Sequence, residues 1–115
     1  MIAKTPKPPY YAVIFTSKRT ESDPAVYERA SEAMVAGATS QPGFLGYEST
    51  HNEDGMGITI SYWSDVESIR NWKANKQHRT AQAKGRSDWY ADYFVRIARV
   101  ERDYSLADSE FDSTQ

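Results

Sequence analysis

The sequence predicts an α+β fold in which strand, helix, strand, strand, helix and strand follow one another, and three observations predict it. Aromatic and β-branched runs of strand length and strand period occur at residues 11–16, 57–63 and 90–104. Apolar residues at helical spacing fill the intervals after the first and third strands. Sharp turn signals, Gln41-Pro42-Gly43 and Asn52-Glu53-Asp54-Gly55, bracket one further short strand between them. This order is the split βαβ arrangement of a ferredoxin-like fold, βαββαβ, with both helices on one face of an antiparallel sheet.

Each element has a local reason. Residues 1–9 hold three prolines, which remove backbone donors, and so predict an extended leader. The run from Tyr11 to Thr16 is the first strand, and polar residues from Ser17 to Ser22 are expected to end it. Asp23-Pro24 offers an N-cap with proline at the first helical position. Val26, Tyr27, Ala30, Ala33, Met34 and Gly37 then recur at helical spacing opposite Glu28, Arg29 and Glu32, which predicts an amphipathic helix to about Ala38.

After the Gln41 turn, Phe44, Gly46 and Glu48 alternate with Leu45, Tyr47 and Ser49 as a second strand. In the third, Ile58, Ile60 and Tyr62 share one face and Thr59, Ser61 and Trp63 the other, so the two strands form an antiparallel hairpin. Ser64-Asp65-Val66-Glu67 reads as a capping box with Ser64 as its cap. The helix that follows carries Val66, Ile69 and Trp72, with a bend expected near Ala74 or a division into two shorter helices. In the last strand Tyr93, Val95, Ile97 and Arg99 alternate with Phe94, Arg96, Ala98 and Val100, and Trp63 and Trp89, beside strand ends, read as packing anchors of a rim. Residues 10–106 are expected to form one domain, and residues 107–115 a flexible acidic tail.

Composition excludes several classes of function. With 14 basic and 16 acidic residues the chain lacks the cationic footprint that nucleic-acid binding needs. There is no apolar run of the roughly 20 residues that span a bilayer, so no membrane association is expected and the cytoplasm is the expected location. The absence of Cys excludes thiolate chemistry and disulfides. His51 and Glu53 make no metal-ligand spacing with a second histidine, and there is no Gly-rich phosphate loop, so neither metal nor cofactor is implied. Because helices cover one sheet face and both faces carry apolar side chains, the other face is expected to be buried by a second copy of the chain, making a homodimer.

Gln41-Pro42-Gly43-Phe44-Leu45-Gly46-Tyr47-Glu48, then Ile58-Thr59-Ile60-Ser61-Tyr62-Trp63, then Asn71-Trp72 with His78 following, resembles the antibiotic biosynthesis monooxygenase family of dimeric α+β barrels, over about residues 11–104. The resemblance implies a cofactor-independent oxygenase acting on an aromatic or phenolic small molecule in a cavity between sheet and helices. It also admits a non-catalytic small-molecule-binding or structural dimer of the same fold and, third, a haem-degrading protein. In haem-degrading relatives a tryptophan matching Trp72 shapes the pocket and a histidine binds iron. Here Gln82 stands in the corresponding place, His78 one helical turn earlier, and Ile14 and Phe15 stand where those enzymes have a first-strand asparagine.

The candidate site follows from spacing on the second helix. If that helix continues unbroken, Asn71, Asn75, His78 and Gln82 share a face, as pocket lining or as the solvated side. Histidine, with a reference pKa of about 6.5, suits His78 to take a proton from a phenol. Trp72 reads as core, or as a flat surface for an aromatic ligand. The expected catalytic residues are therefore His78, Asn75 and Trp72, and the expected pocket adds Asn71 and Gln82.

Overall fold

The computed structural model describes residues 2–20, 25, 28–29, 32, 37–75, 79, 83 and 90–109. Four antiparallel strands form one sheet: β1 (Tyr10–Arg19), β2 (Phe44–His51), β3 (Met56–Trp63) and β4 (Tyr90–Val100), in the order β2-β3-β1-β4. Ala25, Glu28, Arg29 and Glu32 are helical. The apolar positions expected on that helix, Val26, Tyr27, Ala30, Ala33 and Met34, lie outside the described residues. A short 3-10 turn at Ala38–Ser40 leads into β2, and helix α1 (Val66–Ala74) follows β3. The βαββαβ order read from the sequence is the order observed.

β1 lies between β3 and β4, which explains its continuous apolar character, since both of its faces carry side chains to bury. It is longer than its apolar run. Ser17 and Lys18 pair with Gly57 and Met56 on one side and with Tyr93 and Asp92 on the other. Lys18 Nζ donates to the carbonyl of Asp54 at 2.6 Å, and the backbone N–H of Arg19 donates to the Gly55 carbonyl at 3.0 Å. Polar residues thus extend the strand by bonding the β2–β3 turn, where apolar patterning predicted an end at Ser17.

The register sorts side chains between two faces. Tyr11, Val13 and Phe15 of β1 lie opposite Trp63, Ser61 and Thr59 of β3 and opposite Arg99, Ile97 and Val95 of β4, on the helix side. The core there consists of Val13, Ala38, Trp63, Ile69 and Trp72, with Tyr11, Phe44 and Val95 packed against it. Trp63 is fully buried, its indole N–H donating to Ser61 Oγ at 2.9 Å, so it is the centre of the core rather than a rim anchor. Trp89 lies outside the described residues. On the opposite face Ile58 is 41% and Phe94 59% exposed, in line with Met56 and with Ile14 and Ile60 of the neighbouring strand positions.

Two local predictions are corrected. The cap of α1 is Asp65, not Ser64: the Asp65 carboxylate accepts the Ser68 N–H at 2.7 Å, while Ser64 Oγ donates to Asp65 at 2.9 Å. Glu67 reaches forward to Arg70 at 2.9 Å instead of back to the cap. Aspartate wins because its carboxylate is an ionised acceptor beside the first free helical N–H groups, and those bonds hold its carboxyl below the ordinary value. The second correction is in β2, where Phe44 opposes Trp63 and Gly46 opposes Tyr62, so Leu45 is the extra residue of a bulge. Phe44 therefore shares the helix face with Tyr47 and Ser49 instead of alternating with them.

Candidate functional site

The β2 strand and the leader build a cleft at the sheet edge. A turn starts it: Pro42 and Gly43 occupy its centre, Gly43 has φ +86°, and the Phe44 N–H donates to the Gln41 carbonyl at 3.3 Å, the pattern of a type II turn. The Ser64 N–H donates to the Gly43 carbonyl at 2.8 Å, tying the turn to the end of β3. From there Phe44, then Tyr47, Ser49 and His51, project on the helix side. Ser49 Oγ and Thr59 Oγ1 are 2.8 Å apart, which fixes the middle of this stripe.

Across from the stripe stand Glu28 and Glu32, four residues apart on one helical face, and between them lies a cavity of about 770 Å³. Its third wall is the leader, through Ile2, Ala3 and Lys4. The leader is held there: the Ala3 N–H donates to Glu48 Oε2 at 3.0 Å, and the other carboxylate oxygen of Glu48 accepts from the Tyr62 hydroxyl at 2.5 Å. These bonds, led by that from Tyr62, hold the Glu48 carboxyl below its ordinary value, so it remains ionised in neutral solution. Burial and the same bond push the Tyr62 phenol up. Tyr62 meets Tyr10 edge-on at 5.9 Å, and the Tyr10 hydroxyl donates to Asp103 at 2.5 Å, so the strand end, leader and post-β4 segment are joined by hydrogen bonds and one aromatic contact.

Aromatic packing connects the cleft with the core. Phe44 lies edge-on to Trp63 at 5.4 Å, and Trp63 stacks on Trp72 at 5.0 Å and 26°. Phe44 and Tyr47 are 6.5 Å apart. The cleft wall thus rests on two indoles.

The residues expected from the sequence are placed differently from one another. Trp72 is only 5% exposed and packs as core. Asn71 is exposed, and Asn75 is partly buried. The unbroken helix that would align them ends at Ala74: Asn75 is extended, with φ −62° and ψ 135°, its N–H bonds the Trp72 carbonyl, and its own carbonyl accepts the Arg79 N–H at 3.0 Å to begin a new helical turn. Two helices, the alternative the sequence also offered, replace one. His78 and Gln82 lie outside the described residues. Asn71, Trp72 and Asn75 do not line the cleft, whereas Phe44, Tyr47, Ser49, His51, Glu28 and Glu32 do. The bulge at Leu45 hid this stripe, because simple alternation puts Phe44 on the wrong face.

The model of the antibiotic biosynthesis monooxygenase family matches residues 9–84. The chain belongs to this family. The antibiotic biosynthesis monooxygenase fold is found again in solved structures: a Shewanella oneidensis protein superposes with a TM-score of 0.72 at 10% identity, covering 89% of this chain and all of that one. SnoaB, a cofactor-independent oxygenase from Streptomyces nogalater, gives 0.68 at 16% identity, over 86% of this chain and 98% of its own. In sequence, the uncharacterized protein YqjZ of Bacillus subtilis is 50% identical over 101 residues, 88% of each chain. A jasmonate monooxygenase of Pyricularia oryzae is 28% identical over 93 residues, and this family member spans 43% of its length. No helix among the described residues is long and apolar enough to cross a membrane.

Proposed function

We propose that this chain is a cofactor-independent monooxygenase-like protein that oxidises a phenolic or anthrone-like small molecule in the cleft beside β2. The observation that carries the reading is the cavity itself. At about 770 Å³, with Phe44 and Tyr47 on one wall, it lies within the roughly 300–1,000 Å³ of small-molecule sites and is well suited to a flat ring. Membership of the antibiotic biosynthesis monooxygenase family and likeness in fold to a cofactor-independent oxygenase support the reaction class.

The chemistry needs little from the protein. An electron-rich substrate loses a proton to a base, and its carbanion reduces dioxygen. An anthrone CH2 becomes a carbonyl, one oxygen atom enters the product, and the other leaves as water. The protein supplies the base, donors to the enolate and partial exclusion of water. His51 lines the cleft from the strand side. His78, which the sequence singled out, is the second candidate base, and Trp72 supports the cleft wall through Trp63.

The second sheet face belongs to the same reading. Ile58 and Phe94 are exposed there, and a second copy of the chain is its proposed cover. Oxygen-consumption measurements with anthrone and quinol substrates test the activity, comparing wild type with His51→Ala and His78→Ala. Uptake that falls at least tenfold in one variant identifies the base; no uptake above the uncatalysed rate with any substrate overturns the proposed reaction. Static light scattering at micromolar concentration tests the assembly, and a monomer mass refutes it.

A further inference from the structure

Charge in the cleft is unevenly placed. Among the described residues that line it, Glu28, Glu32 and Glu48 are acidic and Lys4 is basic. Glu28 and Glu32 stand together on one helical face, at the opposite wall from the aromatic rings. Glu48 is fixed by the Tyr62 hydroxyl and the Ala3 N–H, and its carboxyl is held below the ordinary value, so its negative charge persists. Phe44 and Tyr47 give an aromatic surface, and Ser49 and His51 give hydrogen-bonding groups beside it. An aromatic ring against Tyr47 therefore has its polar substituents directed to two different environments, hydrogen-bonding groups on the strand and carboxylates on the helix.

We infer that the cleft takes an aromatic molecule bearing a protonated amine, the ring on Phe44 and Tyr47 and the ammonium toward Glu28 and Glu32, and disfavours aromatic carboxylates. This rests on reading the cleft as the ligand site, but not on the oxidation proposed for it. A cation gains attraction to both carboxylates. A carboxylate ligand meets like charge on that wall. Because Glu28 and Glu32 are exposed, each contributes only a few-fold, and together they give about tenfold discrimination at low ionic strength.

The test uses three probes of one shape: 1-(2-aminoethyl)naphthalene, 1-naphthaleneacetamide and 1-naphthaleneacetic acid. Titration calorimetry with the full chain in about 20 mM salt should rank them amine, amide, acid, with about tenfold between the first and last. The gap should shrink to about twofold or less in 0.5 M salt and in the double variant Glu28→Gln/Glu32→Gln, whose thermal unfolding serves as the control for folding. Tyr47→Ala should weaken all three probes alike, because it removes ring contact and no charge. An acid that binds as tightly as the amine, or an amine preference that survives the double substitution, overturns the inference, as does failure of all three to bind. If oxygen uptake is absent while the amine preference holds, the oxidation is refuted and the ligand class stands; if uptake is found and the acid is preferred, the reverse is true.

Discussion

Replacing Gly43 by alanine tests how the cleft is anchored. A Cβ at this position would lie 2.1 Å from Ser68 Oγ, 2.6 Å from Ser68 Cβ and 2.8 Å from Ser64 Oγ, and Gly43 has φ +86°. Two costs add. The left-handed backbone costs a residue with a Cβ about 1–2 kcal/mol, and forcing a methyl group against the first turn of α1 costs about 1–3 kcal/mol, since the Ser68 Cβ cannot rotate away as a hydroxyl can. The sum, about 2–5 kcal/mol, corresponds to a fall in Tm of about 10–20 °C for a domain of this size. The two parts separate in a double-mutant cycle read by urea unfolding. In Gly43→Ala/Ser68→Gly the clash with Ser68 is gone, while the backbone cost and the milder contact with the Ser64 hydroxyl remain, so the coupling should be about 1–3 kcal/mol in the stabilising direction. Strict additivity would refute the close approach of β2 to α1, and a Gly43→Ala protein as stable as wild type would refute the whole account. Phe44 follows Gly43 directly, so the same variant should also weaken naphthalene-probe binding.

Three further outcomes follow from individual contacts. Asp65→Ala should cost about 1 kcal/mol by removing the cap of α1, and Ser64→Ala clearly less; the reverse order in urea unfolding would restore Ser64 as the cap. Trp72→Ala should cost about 3–5 kcal/mol and remove the near-ultraviolet circular dichroism of the Trp63–Trp72 stack, whereas Trp72→Phe should retain most of the stability. The Glu48 carboxyl is depressed in the folded protein, so its contribution is fully present above its ordinary value of 4.5 and is lost as pH falls through the lower folded value. The Ala3 amide resonance should therefore titrate with a midpoint below 4.5, and one at or above 4.5 would exclude the Glu48 bond.

Much of the fold was legible because its signals are local. Alternation of Ile58, Ile60 and Tyr62 with Thr59, Ser61 and Trp63 sets the two faces of β3 without reference to any other strand, and Pro42-Gly43 sets the turn before β2 through backbone preference alone. The helix break at Asn75 was foreshadowed by the loss of apolar period after Trp72. What escaped was whatever depends on a partner distant in sequence. Ser17, Lys18 and Arg19 belong to β1 because the β2–β3 turn offers carbonyl groups there.

The site divides in the same way. The sequence by itself determined that Gln41 to Trp63 would be a hairpin, since period and turn chemistry are carried by neighbouring residues, while it left Trp72 open between core and ligand surface. Only the tertiary structure decided where the cleft lies. A one-residue bulge at Leu45 turns Phe44 toward the helix side, Glu48 ties down a leader that begins more than forty positions earlier, and Glu28 and Glu32 come to face Tyr47 and His51. No short window of sequence contains those meetings, because each depends on strand register and chain closure, which the whole sheet sets at once.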